Sequence, residues 1–491
     1  MSKRVALEKT FKPHWVWAIA FGSAIGWGSF VLPAEWMEMA GPAGVIIGLA
    51  VGAAIMSLIG ISAGNLVRVF PVSGGAFTYS YLTYGRRHAF VCGWFLILGY
   101  AAIVALNASA FALMFRFLAP GFSEQGFLYA MAGWDVYIPE IAVASVLLIA
   151  FAWINVRGAD VSGQVQFWFC VLLLGAAGIL TIGMLMSSAT TLPNLTPGFQ
   201  PKVSTWAAIA SIVAIAPWAY VGFDTVPQAA EEFNFPANKA TTLIVGALFV
   251  AVVHYSIMIV ATGVGMPWQS LVERHEIWGT GYVVKNVLGV GGMALLALAL
   301  TMGIFTGLIG FYISTSRLMF AMGRAKALPS VFGKLHKTHH TPYAGIIFVC
   351  IICLTAPWFG RSVLLWIVDM SAVGVSIAFL YYSLAAYKLF HWSAASVGSG
   401  LSNEISPGKK LIAGASVICS VGVLALLIVP GSPGQLGVQS WVALIIWAVL
   451  GLIIYAVSGG EYRSLSRDEL NRLILGEQAE KLKAVKEALH R

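Results

Sequence analysis

Two short stretches carry the residue types best suited to binding a small molecule inside a helical protein. Residues 21–30 read FGSAIGWGSF, with three glycines within seven residues, and Pro33 follows them. The second stretch holds Pro217 and Gly222, with the ionisable Asp224 just beyond. Glycine costs about 1 kcal/mol relative to alanine in a helix interior, and proline removes a backbone donor. Both stretches therefore predict an interrupted helix.

The open ends of interrupted helices favour a ligand that carries charge. Free N–H groups at the start of a half-helix suit a carboxylate, and free C=O groups at the end of one suit an ammonium group. An amino acid or an amine is therefore the expected ligand. The predicted substrate-binding residues are Gly22, Ser23, Ala24, Ile25, Gly26, Trp27, Gly28, Ala216, Trp218, Ala219, Tyr220, Gly222 and Phe223.

Four aromatic residues cluster at the two interruptions: Trp27, Trp218, Tyr220 and Phe223. An aromatic face binds an ammonium group with about 0.5 to 2 kcal/mol. A gate or a cage around the ligand is one interpretation, and plain packing is the other.

The composition excludes a soluble protein. Of the 491 residues, 59% are apolar and only 10% are charged, with a mean hydropathy of +0.84. A typical soluble domain carries about 25% charged residues. An all-α polytopic membrane protein tolerates so few charges, because each spanning segment needs about 20 mostly apolar residues. The lipid bilayer is therefore the expected environment.

The remaining polar features predict neither a cofactor nor a resident metal ion. Cys350 and Cys353 form a C-x-x-C pair, but they lie inside an apolar segment. The histidines of residues 336–340 lack cysteine or carboxylate partners at ligand spacing. No nucleic-acid partner is expected, because the basic residues behind the net charge of +9 are spread over loops.

Apolar spans can be placed near residues 15–39, 42–67, 88–119, 138–156, 164–187, 205–229, 240–265, 286–316, 343–359, 362–387, 410–430 and 438–458. The two interruptions fall in the first and the sixth of these twelve spans, which is typical of a five-plus-five inverted repeat with its binding site at the midplane. The predicted organisation is a cytoplasmic N-terminal segment (1–14), a first repeat of helices 1–5 (15–187), a second repeat of helices 6–10 (205–390), helices 11–12 (410–458) and a cytoplasmic tail helix (461–491). In the tail, Ser466 and Glu469 are spaced as a capping box.

The basic residues predict the orientation. If the N-terminus is cytoplasmic, 24 of the 29 Lys and Arg residues lie on the cytoplasmic side of the twelve spans. Because cytoplasmic loops are enriched in Lys and Arg, both termini are expected to face the cytoplasm in a multi-pass protein of the cytoplasmic (inner) membrane.

Several ordered motifs resemble those of a known family. Residues 22–30 (GSAIGWGSF) resemble the G-S-x-I-G-S-G-I-F of the first helix in amino acid-polyamine-organocation (APC) transporters. Residues 220–224 (YVGFD), running into 229–232 (AAEE), look like their Y-x-G-F-D followed by A-E-E. Supporting matches are residues 71–76 (PVSGGA), 155–158 (NVRG), 316–324 (SRLMFAMGR) and 369–374 (DMSAVG).

The resemblance implies a leucine-transporter-like fold of about twelve helices, with helices 1 and 6 discontinuous. It implies a secondary active transporter that moves an amino acid by alternating access, through ion-coupled symport or exchange. The alternative is an amine or polyamine, such as ethanolamine or putrescine. By position, the substrate carboxylate would meet the backbone of residues 25–28, and the amino group would meet carbonyl groups of residues 22–24 and 216–219. No catalytic cluster is found in the spans, so an enzyme is not expected.

Two departures from the family pattern concern the site. Trp27 stands where the family usually has a small residue between the two glycines. Where some proton-driven members carry a lysine in the fifth span, the count from Asn155 arrives at Leu173. The sequence predicts no oligomeric state.

Three residues are candidates for coupling or gating, with a proton or sodium as the possible coupling ion. Asp224 is costly at membrane depth, by about 2.5 to 3.5 kcal/mol, so a role in coupling or in holding the break stands beside a role as a helix cap. His254 could relay protons or pack as a hydrogen-bonded neutral ring. Thr306, with Ser314 and Thr315, offers hydroxyl groups where related folds build a sodium site, or simply satisfies helix contacts.

Overall fold

The structure is a computed structural model that describes residues 4–131, 134–276, 278–392, 406–432, 434–457, 459–480 and 482. The chain is almost entirely helical, as predicted. Up to residue 187 the helices are α1 (Pro13–Ile25), α2 (Gly28–Val31), α3 (Pro33–Val69), α4 (Gly75–Tyr84), α5 (Arg86–Leu118), α6 (Pro120–Ser123), α7 (Ile138–Val156) and α8 (Ala159–Met186).

The helices continue with α9 (Thr205–Ala219), α10 (Thr225–Gln228), α11 (Ala240–Gly263), α12 (Trp268–Glu273), α13 (Gly279–Arg324), α14 (Tyr343–Cys353), α15 (Gly360–Trp392), α16 (Pro407–Ile428), α17 (Val438–Val457), α18 (Gly460–Ser464) and α19 (Arg467–Leu475). Short 3-10 helices cover Leu192–Leu195, Ala230–Glu232, Ala237–Lys239, Ser330–Gly333 and Ala356–Phe359.

Nine helices in the described ranges are long and apolar enough to cross a membrane, and two shorter apolar helices cover Thr205–Ala219 and Tyr343–Phe359. The count of twelve spans and the inverted repeat stay predictions. The sequence predicts a boundary between the first two spans, at residues 40–41. In the structure a single helix, α3, runs through this boundary, with a kink at Gly41 (φ +71°) followed by Pro42. A side chain at Gly41 would lie 2.7 Å from the carbonyl oxygen of Gly198, so the kink lets the 190s loop pack against this turn.

The helix bundle surrounds α1. Residues 18–25 of α1 are all buried, and α1 packs against α8, α11 and α13. The glycines of α3 let neighbouring helices approach closely, because they recur at four-residue spacings on the face that meets α9 and α11. In these contacts Gly48 faces Ile212, Gly52 faces Ala216, Gly60 faces Ile244 and Gly64 faces Thr241. The helix that carries the second interruption is thereby pressed against α3.

A β-hairpin at one end of the bundle has no counterpart in the sequence predictions. Its strands, β1 (Phe127–Met131) and β2 (Trp134–Tyr137), pair in antiparallel fashion. Arg116 at the end of α5 lies over the rings of Trp134 and Tyr137 and pairs with Glu140 at 3.3 Å. The hairpin is thus held to the ends of α5 and α7.

At the opposite end, which we call the terminal face, residues 4–12 lie beside α19, and Arg4 donates to the carbonyl oxygen of Leu473. Phe11 donates a backbone hydrogen bond to Glu232 at 2.9 Å. The predicted capping box of Ser466 and Glu469 is confirmed at the start of α19. Residues 1–3 of the predicted N-terminal segment and residues 481 and 483–491 of the predicted tail helix lie outside the described residues.

Two buried ion pairs stabilise the terminal face. Arg317 donates two hydrogen bonds to the carboxylate of Glu232, at 2.8 and 3.0 Å, and both side chains are almost fully buried. Arg324 similarly donates to both oxygens of Glu231 at 2.9 Å. Arg324 is the last residue of α13 and Arg317 lies about two turns before it, so both join the end of this long helix to the loop between α10 and α11.

We expect Glu232→Gln to lower the thermal unfolding midpoint of the purified protein strongly. It leaves the Arg317 guanidinium buried without a counter-charge, which costs about 3–5 kcal/mol. The matched control is Glu461→Gln, because Glu461 pairs with Lys326 at 3.2 Å on the exposed surface of the same face. That pair is worth at most about 1 kcal/mol. Equal effects of the two substitutions would contradict the structural role of the Glu232–Arg317 pair.

Candidate functional site

The first interruption is present where the sequence predicts it. Helix α1 ends at Ile25, Gly26 takes φ +51° and ψ −150°, and α2 begins at Gly28. Gly26 needs the left-handed region of φ, which residues with a side chain rarely adopt. A side chain built on Gly26 would meet no atom within 4 Å, so its backbone borders open space.

The second interruption is also present. Helix α9 ends at Ala219, residues 220–224 form turns, and α10 begins at Thr225. Gly222 takes φ +136° within these turns. Pro217 lies inside the last turn of α9, and the positive φ of this interruption belongs to Gly222 rather than to the proline.

The two interruptions touch each other. A side chain on Gly222 would lie 2.5 Å from the backbone nitrogen of Ala24 and 2.7 Å from the carbonyl carbon of Ser23. Ala216 and Ala219, near the end of α9, are also fully buried. The two interrupted stretches, at residues 21–30 and 217–224, therefore meet at one place in the structure, as the sequence predicts.

Tyr255 of α11 joins the ends of the two half-helices. Its hydroxyl group lies within hydrogen-bonding distance of the carbonyl oxygens of Ala24 (3.0 Å), Ile25 (3.3 Å) and Ala219 (2.8 Å). A hydroxyl group has one proton, so it donates to one of these oxygens at a time. The side chain is buried, and sequence reasoning missed it because a single tyrosine in an apolar span carries no recognisable pattern.

Several carbonyl groups predicted to meet an ammonium group already have donors in the protein. The carbonyl of Gly22 accepts from the hydroxyl of Thr306 at 3.0 Å and from the backbone of Gly26 at 3.4 Å. The carbonyl of Ala216 accepts from the backbone of Tyr220 at 2.9 Å. Because a carbonyl oxygen has two lone pairs, a bound ammonium group would share these acceptors.

The predicted aromatic cluster divides into two parts. Trp27 and Trp218 are half-buried and meet edge to face, with ring centroids 5.7 Å apart, and Gly28 packs against the Trp218 ring. Tyr220 and Phe223 are fully buried away from them: the Tyr220 hydroxyl donates to the carbonyl of Leu49 at 2.9 Å, and Phe223 stacks on Phe379. Of these four aromatic residues, Trp27 and Trp218 therefore lie beside the first interruption, since Trp27 follows Gly26 in the chain and Trp218 contacts Gly28.

Asp224 folds back onto the second interruption. One carboxylate oxygen accepts from the backbone N–H of Gly222 at 3.0 Å, and the other accepts from the hydroxyl of Tyr100 at 2.5 Å. Asp224 precedes α10, but its side chain makes no capping bond to that helix. In the described part of the chain, both hydrogen-bond donors to this fully buried carboxylate are uncharged groups.

The other two coupling candidates lie on opposite sides of the first interruption. His254 is buried, with its Nε2 atom 3.2 Å from the hydroxyl oxygen of Ser29 and its ring against Phe30. Thr306 bonds to the carbonyl groups of Gly22 and of Gly303 in its own helix.

Ser314 and Thr315, named with Thr306 as possible sodium ligands, donate to carbonyl groups one turn earlier in α13, at 2.8 and 2.6 Å. These bonds match the alternative in which hydroxyl groups satisfy their own helix.

Gln166 and Cys170 of α8 bond to the backbone of α1. Both donate to the carbonyl oxygen of Ala18, at 3.1 and 3.3 Å, and both press against Gly22. Leu173, at the position where some proton-driven members of the family carry a lysine, is buried further along the helix. The fifth predicted span therefore meets the first with neutral side chains.

Glycines of α13 bring that helix against the first interruption. A side chain on Gly310 would overlap the hydroxyl oxygen of Ser23, and one on Gly303 would overlap the carbonyl oxygen of Gly26. A side chain on Gly307 would lie 2.8 Å from the amide of Asn107 on α5. The walls of the site are thus α1, α5, α9, α11 and α13.

Comparison with known proteins agrees with this architecture. A family model described as amino acid permease matches residues 15–450. A branched-chain amino acid permease of Lactococcus lactis subsp. cremoris is 27% identical over 384 residues, covering 76% of this chain and 80% of the relative. A methylthioribose transporter of Bacillus subtilis is 25% identical over 475 residues, covering 95% and 96%. A glutamate/serine transporter of Bacillus subtilis is 25% identical over 350 residues, covering 68% and 62%.

We expect Gly222→Ala to abolish ligand binding while the protein still inserts into membranes. The new methyl group would meet the backbone of residues 23–24, which cannot move as a flexible side chain would. The matched control is Gly178→Ala in α8, where a side chain meets no atom within 4 Å. Binding is measured as ligand-dependent thermal stabilisation of each purified variant. A Gly222→Ala variant that binds as well as Gly178→Ala would show that the contact between the interruptions is dispensable.

Proposed function

Because the chain belongs to the amino acid permease family of the APC superfamily, we propose that it is a secondary active transporter that moves an amino acid across the cytoplasmic membrane by alternating access. Family membership confirms the resemblance in the motifs and makes the chain a multi-pass transporter rather than an enzyme. Ion-coupled symport or exchange is the proposed mechanism.

The observation that supports this proposal best is the meeting of two interrupted helices. Non-helical backbone at membrane depth is tolerated where it is buried in protein or lines a cavity. Gly222 lies against the backbone of residues 23–24, Tyr255 bridges the helix ends, and Gly26 borders open space beside Trp27. We propose that the substrate binds in this space, with its carboxylate on the backbone of residues 25–28.

The proposed orientation places the terminal face in the cytoplasm. Residues 4–12 and α19 lie at the same end of the bundle, which agrees with termini on one side of the membrane. The excess of Lys and Arg in the segments of that side supports the cytoplasm. We propose that the buried ion pairs of Glu231 and Glu232 hold this face closed, so that the structure corresponds to a state that is shut toward the cytoplasm.

Two other substrate classes are alternatives to amino acids. An amine or polyamine is favoured by the paired faces of Trp27 and Trp218, because aromatic faces bind ammonium groups. A methylthioribose-like sugar is suggested by the relative that aligns over 95% of this chain. The three classes differ in charge: an amino acid carries both signs, an amine carries positive charge alone, and the sugar carries none.

A thermal-stability screen of the purified protein separates these classes. A ligand at 100 times its dissociation constant adds about 2.7 kcal/mol to the free energy of unfolding. We expect stabilisation by an amino acid, tested first with the branched-chain, acidic and hydroxylated types, and none by the corresponding decarboxylated amine. Stabilisation by amines alone, or by methylthioribose alone, would contradict amino acid transport and support the respective alternative.

We propose that Asp224 takes part in coupling, with a proton or sodium as the ion. A buried carboxylate whose hydrogen-bond donors are uncharged is expensive at membrane depth, so its charge must be neutralised at some stage of the cycle. His254 and Thr306 stay secondary candidates, since each is held by a hydrogen bond near the first interruption.

We expect Asp224→Asn to remove the dependence of uptake on pH or on sodium, because the amide cannot ionise. The matched control is Asp369→Asn, whose carboxylate accepts from the hydroxyl of Ser440 at 2.7 Å, between α15 and α17. Uptake of labelled substrate into proteoliposomes, with pH and sodium varied separately, measures the effect. If Asp224→Asn keeps the ion dependence of the parent protein, Asp224 only holds the second interruption in shape.

A further inference from the structure

One carboxylate gathers three other segments at the terminal face. Glu231 accepts from both terminal nitrogens of Arg324 at 2.9 Å, from the hydroxyl of Ser73 at 2.8 Å, from Arg4 at 3.0 Å and from the backbone of Leu7 at 3.2 Å. Burial raises the pKa of Glu231, but the guanidinium groups of Arg324 and Arg4 outweigh it and lower the pKa to about 2. The carboxylate therefore stays ionised at physiological pH, and residues 4–7 are bound to a permanent charge.

Arg4 also contacts the tail helix. Its Nε atom donates to the carbonyl oxygen of Leu473 at 3.4 Å. Its guanidinium lies against Gly476, the residue that ends α19, where a side chain would come within 2.8 Å of it. The same side chain thus links α19 to Glu231.

The tail helix is fixed to the bundle independently of Arg4. Arg86, which begins α5, donates to three carbonyl groups of α18 and the turn after it, at 2.6, 3.0 and 3.1 Å. The hydroxyl of Tyr81 donates to the side chain of Asn471 at 2.9 Å, and Leu470 and Ile474 are buried against the bundle. A docked tail therefore presents the carbonyl of Leu473 to Arg4 in a fixed position.

A cleft lies beneath these contacts. It has a volume of about 970 Å³, is open to the surface and lies between residues 4–9, the loop after α10 and the end of α19, and Val72 forms part of its wall with an exposed fraction of only 2%. Arg4 and Leu7 are bonded to Glu231 at the wall of this cleft, so widening the cleft there would require residues 4–7 to leave Glu231. While the tail is docked, that departure also breaks the contact of Arg4 with α19.

We propose that α19 is an autoinhibitory clamp on the terminal-face gate. The docked tail stabilises the closed gate by holding Arg4, and undocking the tail shifts the population toward the open gate, because contacts made in one state alone favour that state. The inference rests on the proposed alternating-access function, in which this face must open.

Thiol labelling of the full chain tests the clamp without measuring transport. Val72→Cys places a thiol in the cleft wall, and a maleimide reports how often the wall becomes accessible in detergent-solubilised protein. The parent chain provides the background, since four of its five cysteines are buried and Cys419 is half-buried. In the Val72→Cys background, Arg86→Gln loosens the tail and Arg4→Gln removes the link itself. The matched control is Arg87→Gln, because Arg87 is the adjacent arginine and is exposed.

We expect Arg86→Gln and Arg4→Gln each to raise the labelling rate about fivefold, as loss of one net hydrogen bond would do, and Arg87→Gln to leave it unchanged. Gel filtration verifies that the variants remain folded. Labelling of Arg86→Gln at the rate of Arg87→Gln would overturn the clamp, even if Arg4→Gln labels faster. Failure of the parent protein to bind any candidate ligand would instead count against the proposed transport function.

Discussion

The backbone groups freed by the two helix interruptions must find partners inside the membrane, and the rest of the structure depends on how they do so. The contact of Gly222 with the backbone of residues 23–24 brings the interruptions together. The hydroxyl of Tyr255 then serves carbonyl groups from both half-helices. An unpaired polar group in hydrocarbon costs several kcal/mol. The Tyr255 hydroxyl therefore stabilises the two interruptions, because it supplies a donor to the carbonyl groups that they leave free.

The surrounding helices are shaped to keep that arrangement. Glycines along α3 admit α9, and glycines along α13 admit α1, so that both interrupted helices are held by close backbone contacts rather than by long side chains. Thr306 of α13 and Gln166 of α8 donate to carbonyl groups of α1. The open space at Gly26 remains beside the Trp27 and Trp218 rings, where a ligand can complete the hydrogen bonding.

The sequence was informative where local chemistry decides the structure. Glycine clusters and prolines located the two interruptions, the long apolar runs located most of the long helices, and the ordered motifs indicated the family. Contacts between distant residues left no such pattern. Nothing in the spacing of Tyr255, Gln166 or Arg4 indicates which carbonyl or carboxylate each one meets. The predicted aromatic cluster was correct only for the two tryptophans. Residue type and position in the sequence do not show that Tyr220 turns toward α3 while Trp218 turns toward Trp27.

The most direct test of the account is a structure of the protein with the amino acid that stabilises it most. The account expects the ligand between the two interruptions, with its carboxylate about 3 Å from free backbone nitrogens within residues 25–28 and its side chain beside Trp27 and Trp218. A ligand bound elsewhere in the bundle, with the backbone at Gly26 and Gly222 untouched, would contradict the claim that the paired interruptions form the transport site.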